Sequence, residues 1–157
     1  MTSREKLLAR IERLKKALAR WQRQGGKPRG VLPGRVFWRP EVERWRSLVA
    51  YYFKSEDVDI AMALIRCESL GDPTREGPSI PVTAGSSDTM RAAGLFQHLP
   101  KYWPDRARAI GMPDASPFDP VANIKAAALL RYAPGGGWKH WSCYEWAKER
   151  VEKEQGE

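Results

Sequence analysis

The sequence has few of the residues that staple or span. Two cysteines and two histidines among 157 residues are too few for a disulfide scaffold, though Cys67 and Cys143 suffice for one bridge or two free thiols. A zinc site would need all four. His140 and Cys143 are suitably spaced, but Cys67 and His98 each stand alone, unlike the paired ligands of structural zinc sites, so no metal is expected. The longest apolar run, "IAMALI" from Ile60 to Ile65, falls far short of the ~20 residues a membrane span requires. Basic residues interrupt the leucines of the N-terminus, which leaves no hydrophobic segment for a secretory signal. Alternating β patterns are almost absent and no internal repeat is visible, so the expected fold is mainly α.

Acidic residues are scarce at one end only. Residues 1–40 carry 12 Lys/Arg against 2 Asp/Glu, and the remainder 15 against 17, so the net charge of +8 divides into an arm at +10 and a body at −2. The basic character therefore belongs to an attachment and not to the body. With 42% hydrophobic residues the chain can bury one core. The expected organisation is a basic amphipathic helix and Gly/Pro linker over residues 1–35, then one compact domain over 36–157.

Residues 3–24 read as a helix. Thr2 and Glu5 can form a capping box, Gly25 and Gly26 stop it, and Leu7, Ile11, Leu14, Leu18 and Trp21 follow the spacing of a coiled-coil seam. Such a helix either folds back on its own domain or serves weak self-association or a polyanionic surface. "GGKPRGVLPGR" follows as a linker. A helix is expected from Pro40 to Phe53, another from an N-cap at Ser55 to Glu68, and a short one over Pro104–Ile110. Asp119 and Pro120 begin a further helix, "DPVANIKAAALLRYA", and a last one follows "GGG" at 135–137. Between Gly71 and Arg91 no period appears, which predicts a long structureless loop, functional or disordered.

Glu68 is the informative residue. Helical steps from Ala61, Leu64 and Ile65 place it on the core-facing stripe, in the last turn, where the helix dipole disfavours an anion. Partial burial and the dipole both raise a carboxyl pKa, which is what a general acid needs. Position alone also fits a carboxylate bending out into water from a frayed end.

"ES" at a helix end, a loop, then "GLFQ" at 94–97, a helix of the type "DPVANIKAAALL" and a closing "W..W.C" occur in that order over residues 55–146. Together they resemble the lysozyme-like lytic transglycosylases, relatives of goose-type lysozyme that cut the bacterial wall. The resemblance implies a lysozyme-like helical domain with Glu68 as catalytic acid, Ser69 supporting it by hydrogen bonding, and Gly94, Leu95, Phe96 and Gln97 at the substrate. Gly94 would let the backbone approach the sugar, Phe96 would wall the cleft and Gln97 would bind amide or hydroxyl groups. The tyrosine that relatives place on the acid within an "AYNAG"-like motif is missing, since the region reads "WKHWSCYEW"; Tyr132, Trp141 and Tyr144 are the candidates to replace it. A Cys67–Cys143 bridge is also implied. It would close a 76-residue loop, worth roughly 4 to 5 kcal/mol in the chain-entropy model.

The implied substrate is bacterial peptidoglycan, cut between N-acetylmuramic acid and N-acetylglucosamine with one glutamate and no cofactor. Inverting hydrolysis would need a second carboxyl about 6.5 to 9.5 Å away, and Asp72, Glu76 and Asp88 all lie in or beside the long loop. Transglycosylation is therefore preferred to muramidase action. Tyr102, Trp103, Trp138 and Trp141 are candidates for stacking on sugars, although aromatics of this kind are more often core. A wall enzyme without an export signal suggests a phage lysin, released in lysis or carried in a virion, whose basic helix meets anionic wall polymers or outer-membrane lipopolysaccharide. The competing class is non-catalytic: a wall-binding or virion structural module, or a nucleic-acid binder using the basic helix.

Overall fold

The computed structural model describes residues 2–23 and 32–156, and it is mainly helical. The order is α1 (Ser3–Arg23), α2 (Pro40–Glu43), α3 (Arg46–Tyr52), a 3-10 turn (Ser55–Asp57), α4 (Val58–Ser69), strands β1 (Ile80–Pro81) and β2 (Thr89–Met90), α5 (Trp103–Ala109), α6 (Pro120–Tyr132) and α7 (Tyr144–Gln155). Among the described residues no helix is long and apolar enough to cross a membrane.

α4 is the axis of the domain. Val58, Ala61, Met62, Ala63, Leu64 and Ile65 are all fully buried, because α3 covers one side and α7 another. A helix apolar nearly all round has to lie inside a core. Phe53, Leu95, Phe96, Ile124, Ala127, Trp141 and Val151 complete that core. A second, smaller cluster joins Trp103, Ala107 and Ile110 to Ala122, Ala126 and Leu129, and α1 lays Ile11 against it.

α1 thus packs on its own domain, on the face made by α5 and α6. Its expected capping box forms: Glu5 N–H donates to Thr2 Oγ1 (3.1 Å) and Thr2 N–H to Glu5 Oε2 (2.7 Å). Leu7 and Leu8 remain exposed. The side chains of Leu14, Leu18 and Trp21, most of the predicted seam, lie outside the described residues, as do the helix stop at Gly25–Gly26 and most of the linker.

Asp59, in the first turn of α4, gathers the two ends of the body. It accepts from Arg35 N–H (3.0 Å), Val36 N–H (3.4 Å), Arg46 Nη1 (3.5 Å) and Gln155 Nε2 (3.0 Å). The helix dipole favours a carboxylate there. Arg46 in turn donates through Nε and Nη2 to Glu43, 2.7 Å each, and to the carbonyls of Pro33 and Val36.

Three expectations are corrected. Pro40–Phe53 is two short helices, because the chain turns at Arg44–Trp45 and Trp45 Nε1 reaches the Gly71 carbonyl at 2.8 Å. Ser55 caps nothing through its side chain; it opens a 3-10 turn that leads into α4. Residues 71–91 are not structureless: Ile80 pairs with Met90 and Pro81 with Thr89 in an antiparallel hairpin, whose base is tied by Gly77 N–H to the Ala92 carbonyl (2.8 Å). Strands of two residues, one of them proline, are too short to show alternation. Asp119 does cap α6, accepting from Ala122 N–H at 3.0 Å.

Candidate active site

Glu68 lies in the last turn of α4, which ends because Leu70 adopts the left-handed conformation (φ 57°) and Gly71 follows it there (φ 80°). Gly71 must be glycine, since a Cβ would overlap the Glu41 carbonyl group. The Glu68 side chain is neither free in water nor fully enclosed. Burial pushes its carboxyl up to about 7, opposed by a hydrogen bond from the Cys143 backbone N–H. At neutral pH it therefore holds its proton about half the time.

Cys67 and Cys143 form a disulfide, which fastens the turn before α7 to the end of α4. Among the described residues no group of three His, Cys, Asp or Glu side chains could hold a metal.

Several expected site residues face elsewhere. Ser69 is buried and gives its hydroxyl to the Ile65 carbonyl (3.0 Å), while accepting from Gly71 N–H (3.3 Å); it stabilises the helix end and does not bond Glu68. Leu95 and Phe96 are core, so Phe96 walls no cleft; it stacks on Phe53 at 5.9 Å and meets Trp141 edge-on at 5.8 Å. Trp141 is also buried, with Nε1 donating to the Phe96 carbonyl (3.1 Å). Trp138 continues this aromatic layer between Phe53 and Tyr144, at 6.1 and 5.9 Å. Trp103 lies in the smaller cluster and Tyr102 is half exposed beside α5.

Tyr132 does not replace the missing tyrosine. Its hydroxyl donates to Asp57 Oδ2 at 2.6 Å and accepts from Lys54 N–H at 2.8 Å, at the start of α4. Eleven helical steps, about 16 Å, separate that end from Glu68. Burial and the Asp57 bond hold the phenol above its ordinary range. Tyr132→Phe should therefore cost about 1 to 2 kcal/mol in urea denaturation, by leaving the Lys54 amide without this partner and Asp57 with Arg131 alone.

Gly94–Gln97 form a tight turn closed by reciprocal bonds between Ala93 and His98 (2.9 and 3.0 Å). Gly94 (φ 80°) is required, but not for the reason expected. The space a Cβ would take is filled by Asn123 Nδ2 and the Pro117 carbonyl oxygen, so the glycine admits α6 and not a sugar. Asn123 Oδ1 accepts from Phe96 N–H (2.8 Å), and its Nδ2 donates to the carbonyls of Ala93 (3.1 Å) and Pro117 (2.7 Å). Gln97 (φ 53°) donates through Nε2 to the carbonyls of Arg75 (3.0 Å) and Gly94 (2.9 Å), which binds this turn to the hairpin base.

His98 completes the lock. Burial, helped by the Arg106 charge, lowers its imidazole to about 3, so it is neutral. Nδ1 accepts from Arg106 Nη1 and Nε2–H donates to the Asn123 carbonyl, both at 2.9 Å. Sequence reasoning weighed His98 only as a metal ligand and passed over Asn123 and Arg106. The available signal was an asparagine between Ala122 and Ile124 in a helix rich in alanine and leucine: a fully buried amide has to find hydrogen-bond partners.

A cavity of about 220 Å³ lies between α1 and the α5–α6 face, lined by residues including Leu7, Ile11, Tyr102, Leu129 and Leu130. Of the residues expected from the sequence to meet a sugar, Tyr102 lines it, whereas Glu68 and the 94–97 turn do not. No family model, curated protein or solved structure matches the chain.

Proposed function

We propose that this chain is a peptidoglycan-cleaving lytic transglycosylase with a lysozyme-like domain and Glu68 as its one catalytic carboxyl. The observation that carries this reading is the half-buried glutamate at the end of a buried helix, its carboxyl raised to about 7. An acid with that midpoint is protonated often enough to donate at neutral pH and basic enough afterwards to accept. Glu68 would protonate the oxygen joining N-acetylmuramic acid to N-acetylglucosamine. It would then remove the proton from the muramic 6-hydroxyl, whose oxygen closes onto the anomeric carbon. The product is a 1,6-anhydro sugar, no water is consumed, and no cofactor is needed.

The three other carboxyls considered favour this over inverting hydrolysis. Asp72, Glu76 and Asp88 are exposed, and Asp72 is occupied by Thr74, which donates to it from N–H (2.9 Å) and Oγ1 (2.7 Å). Those bonds hold the Asp72 carboxyl below its usual range, which makes it a weaker base for activating water. Muropeptide mass spectrometry after digestion of purified peptidoglycan is the test. Anhydro ends support transglycosylation, new reducing ends mean a muramidase, and no released product means a binding or virion structural module.

The partners we propose for α1 are anionic wall polymers or outer-membrane lipopolysaccharide, met after release in phage lysis or from a virion. Arg4, Lys6, Arg13 and Lys16 are exposed on this helix. Changing these four to glutamine should lower adsorption to whole cells severalfold at low salt, with the difference shrinking at high salt, and leave turnover of purified peptidoglycan unchanged. Adsorption equal to wild type at low salt would remove this role. The exposed Leu7 and Leu8 are the contacts available for weak self-association.

A further inference from the structure

Two consecutive residues of α4 are tied to a single residue of the turn before α7. Cys67 is bonded to Cys143 through sulfur, and Glu68 accepts the backbone N–H of the same Cys143. We propose that the Cys67–Cys143 disulfide is the positioning element of the site: it clamps the 138–143 turn against the Glu68 carboxyl, and opening it releases the acid to water. Its consequence for catalysis rests on the reading of Glu68 as the acid; the physical coupling does not.

Burial raises the Glu68 midpoint and the Cys143 amide lowers it, with burial the larger. On this proposal the turn supplies both, so moving it away removes both and the net change is downward. The packed elements carry Asp59 and Arg66 on α4, Glu41, Glu43 and Arg44 at α2, Arg46 on α3, Lys139 and His140 before α7, and Glu145, Lys148, Glu149, Arg150, Glu152, Lys153 and Glu154 on it. None of them contributes to the shift, which leaves desolvation and one amide as its sources. A midpoint falling toward the ordinary carboxyl range would leave the acid mostly ionised at pH 7.

A competing anchor exists. Trp141, in the same turn, is buried and bonded through Nε1 to the Phe96 carbonyl. If that anchor alone held the turn, the disulfide would have no influence on Glu68, so the two arrangements make different predictions.

The experiment is carbon-13 NMR titration of the Glu68 carboxyl in the full chain, oxidised and after phosphine reduction well below the melting temperature, with Cys67→Ser/Cys143→Ser as a second preparation. Glu68→Gln assigns the signal. The expected result is a midpoint more than about one unit lower in the open forms than in the oxidised chain. A midpoint unchanged on reduction, in protein whose circular dichroism is still native, overturns the proposal. Should both open forms unfold, the oxidised chain decides: the Cys143 amide proton must shift with the same midpoint as the carboxyl, and an amide insensitive to that titration overturns it too. Neither readout uses peptidoglycan, so an inactive chain with a falling midpoint would sink the enzyme reading and leave the coupling intact. In an active chain, reduction should move the alkaline limb of the activity profile to lower pH.

Discussion

Glu68→Gln is expected to lower the release of anhydro-muropeptides by about 10²- to 10⁴-fold, the usual worth of a positioned general acid and base. Glutamine keeps the shape and can still meet the Cys143 amide through its oxygen, but it has no proton to give. The same change should make the protein more stable at neutral pH. In the folded chain the carboxyl titrates near 7, whereas an unfolded glutamate titrates near 4.3, so the folded state binds more protons between those values. Stability therefore declines as pH rises through that window, and the penalty is complete above the folded midpoint. Discounted for partial exposure, it amounts to about 1 to 2 kcal/mol. Wild type and variant should melt together below about pH 4.3 and diverge above it, with the variant higher. Retained turnover in the variant would remove Glu68 from catalysis; identical melting at all pH values would mean the carboxyl is not held half-dry.

The second large effect is structural. Gly94→Ala should cost about 5 kcal/mol, near the limit of what a domain of this size withstands. An alanine at φ 80° is strained by about 1 kcal/mol, and its methyl group would displace Asn123 Nδ2 and the Pro117 carbonyl. Moving Asn123 breaks three bonds at once, to Phe96 and Ala93, which are buried, and to Pro117, which is partly so. Gly85 is the control. It has a similar φ of 78° but open space around it, so Gly85→Ala should cost only about 1 kcal/mol. Urea denaturation of the two variants measures the difference, and equal losses would mean that conformation and not packing fixes Gly94.

Periodicity made α1, α4, α6 and the inward direction of Glu68 legible, because each shows several apolar residues at helical spacing or a side-chain cap. It failed wherever the deciding contact is distant in sequence. The split between α2 and α3 follows from Trp45 reaching Gly71, and the hairpin is held by backbone bonds that two-residue strands cannot announce. Around Glu68, Ser69 and Tyr132 were assigned by chemical type, and hydroxyls go to whatever acceptor the fold brings near: the Ile65 carbonyl in one case, Asp57 in the other. Trp141 and Phe96 are large and apolar, and the core took them. The co-occurrence of "GLFQ" with the "DPVANIKAAALL" helix has a physical reason that spacing does not reveal, since Asn123 of the helix is the hydrogen-bonding template of the turn.

Asp59 holds the Arg35 and Val36 amides and the Gln155 side chain on one carboxylate. The entry and exit of the body are consequently neighbours, on the far side of α4 from Glu68. A short peptide could splice them together, new termini could be opened in the hairpin tip around Gly85, and the permuted domain should keep its site; equally, the whole body could be inserted into a surface loop of a carrier protein without obstructing that site.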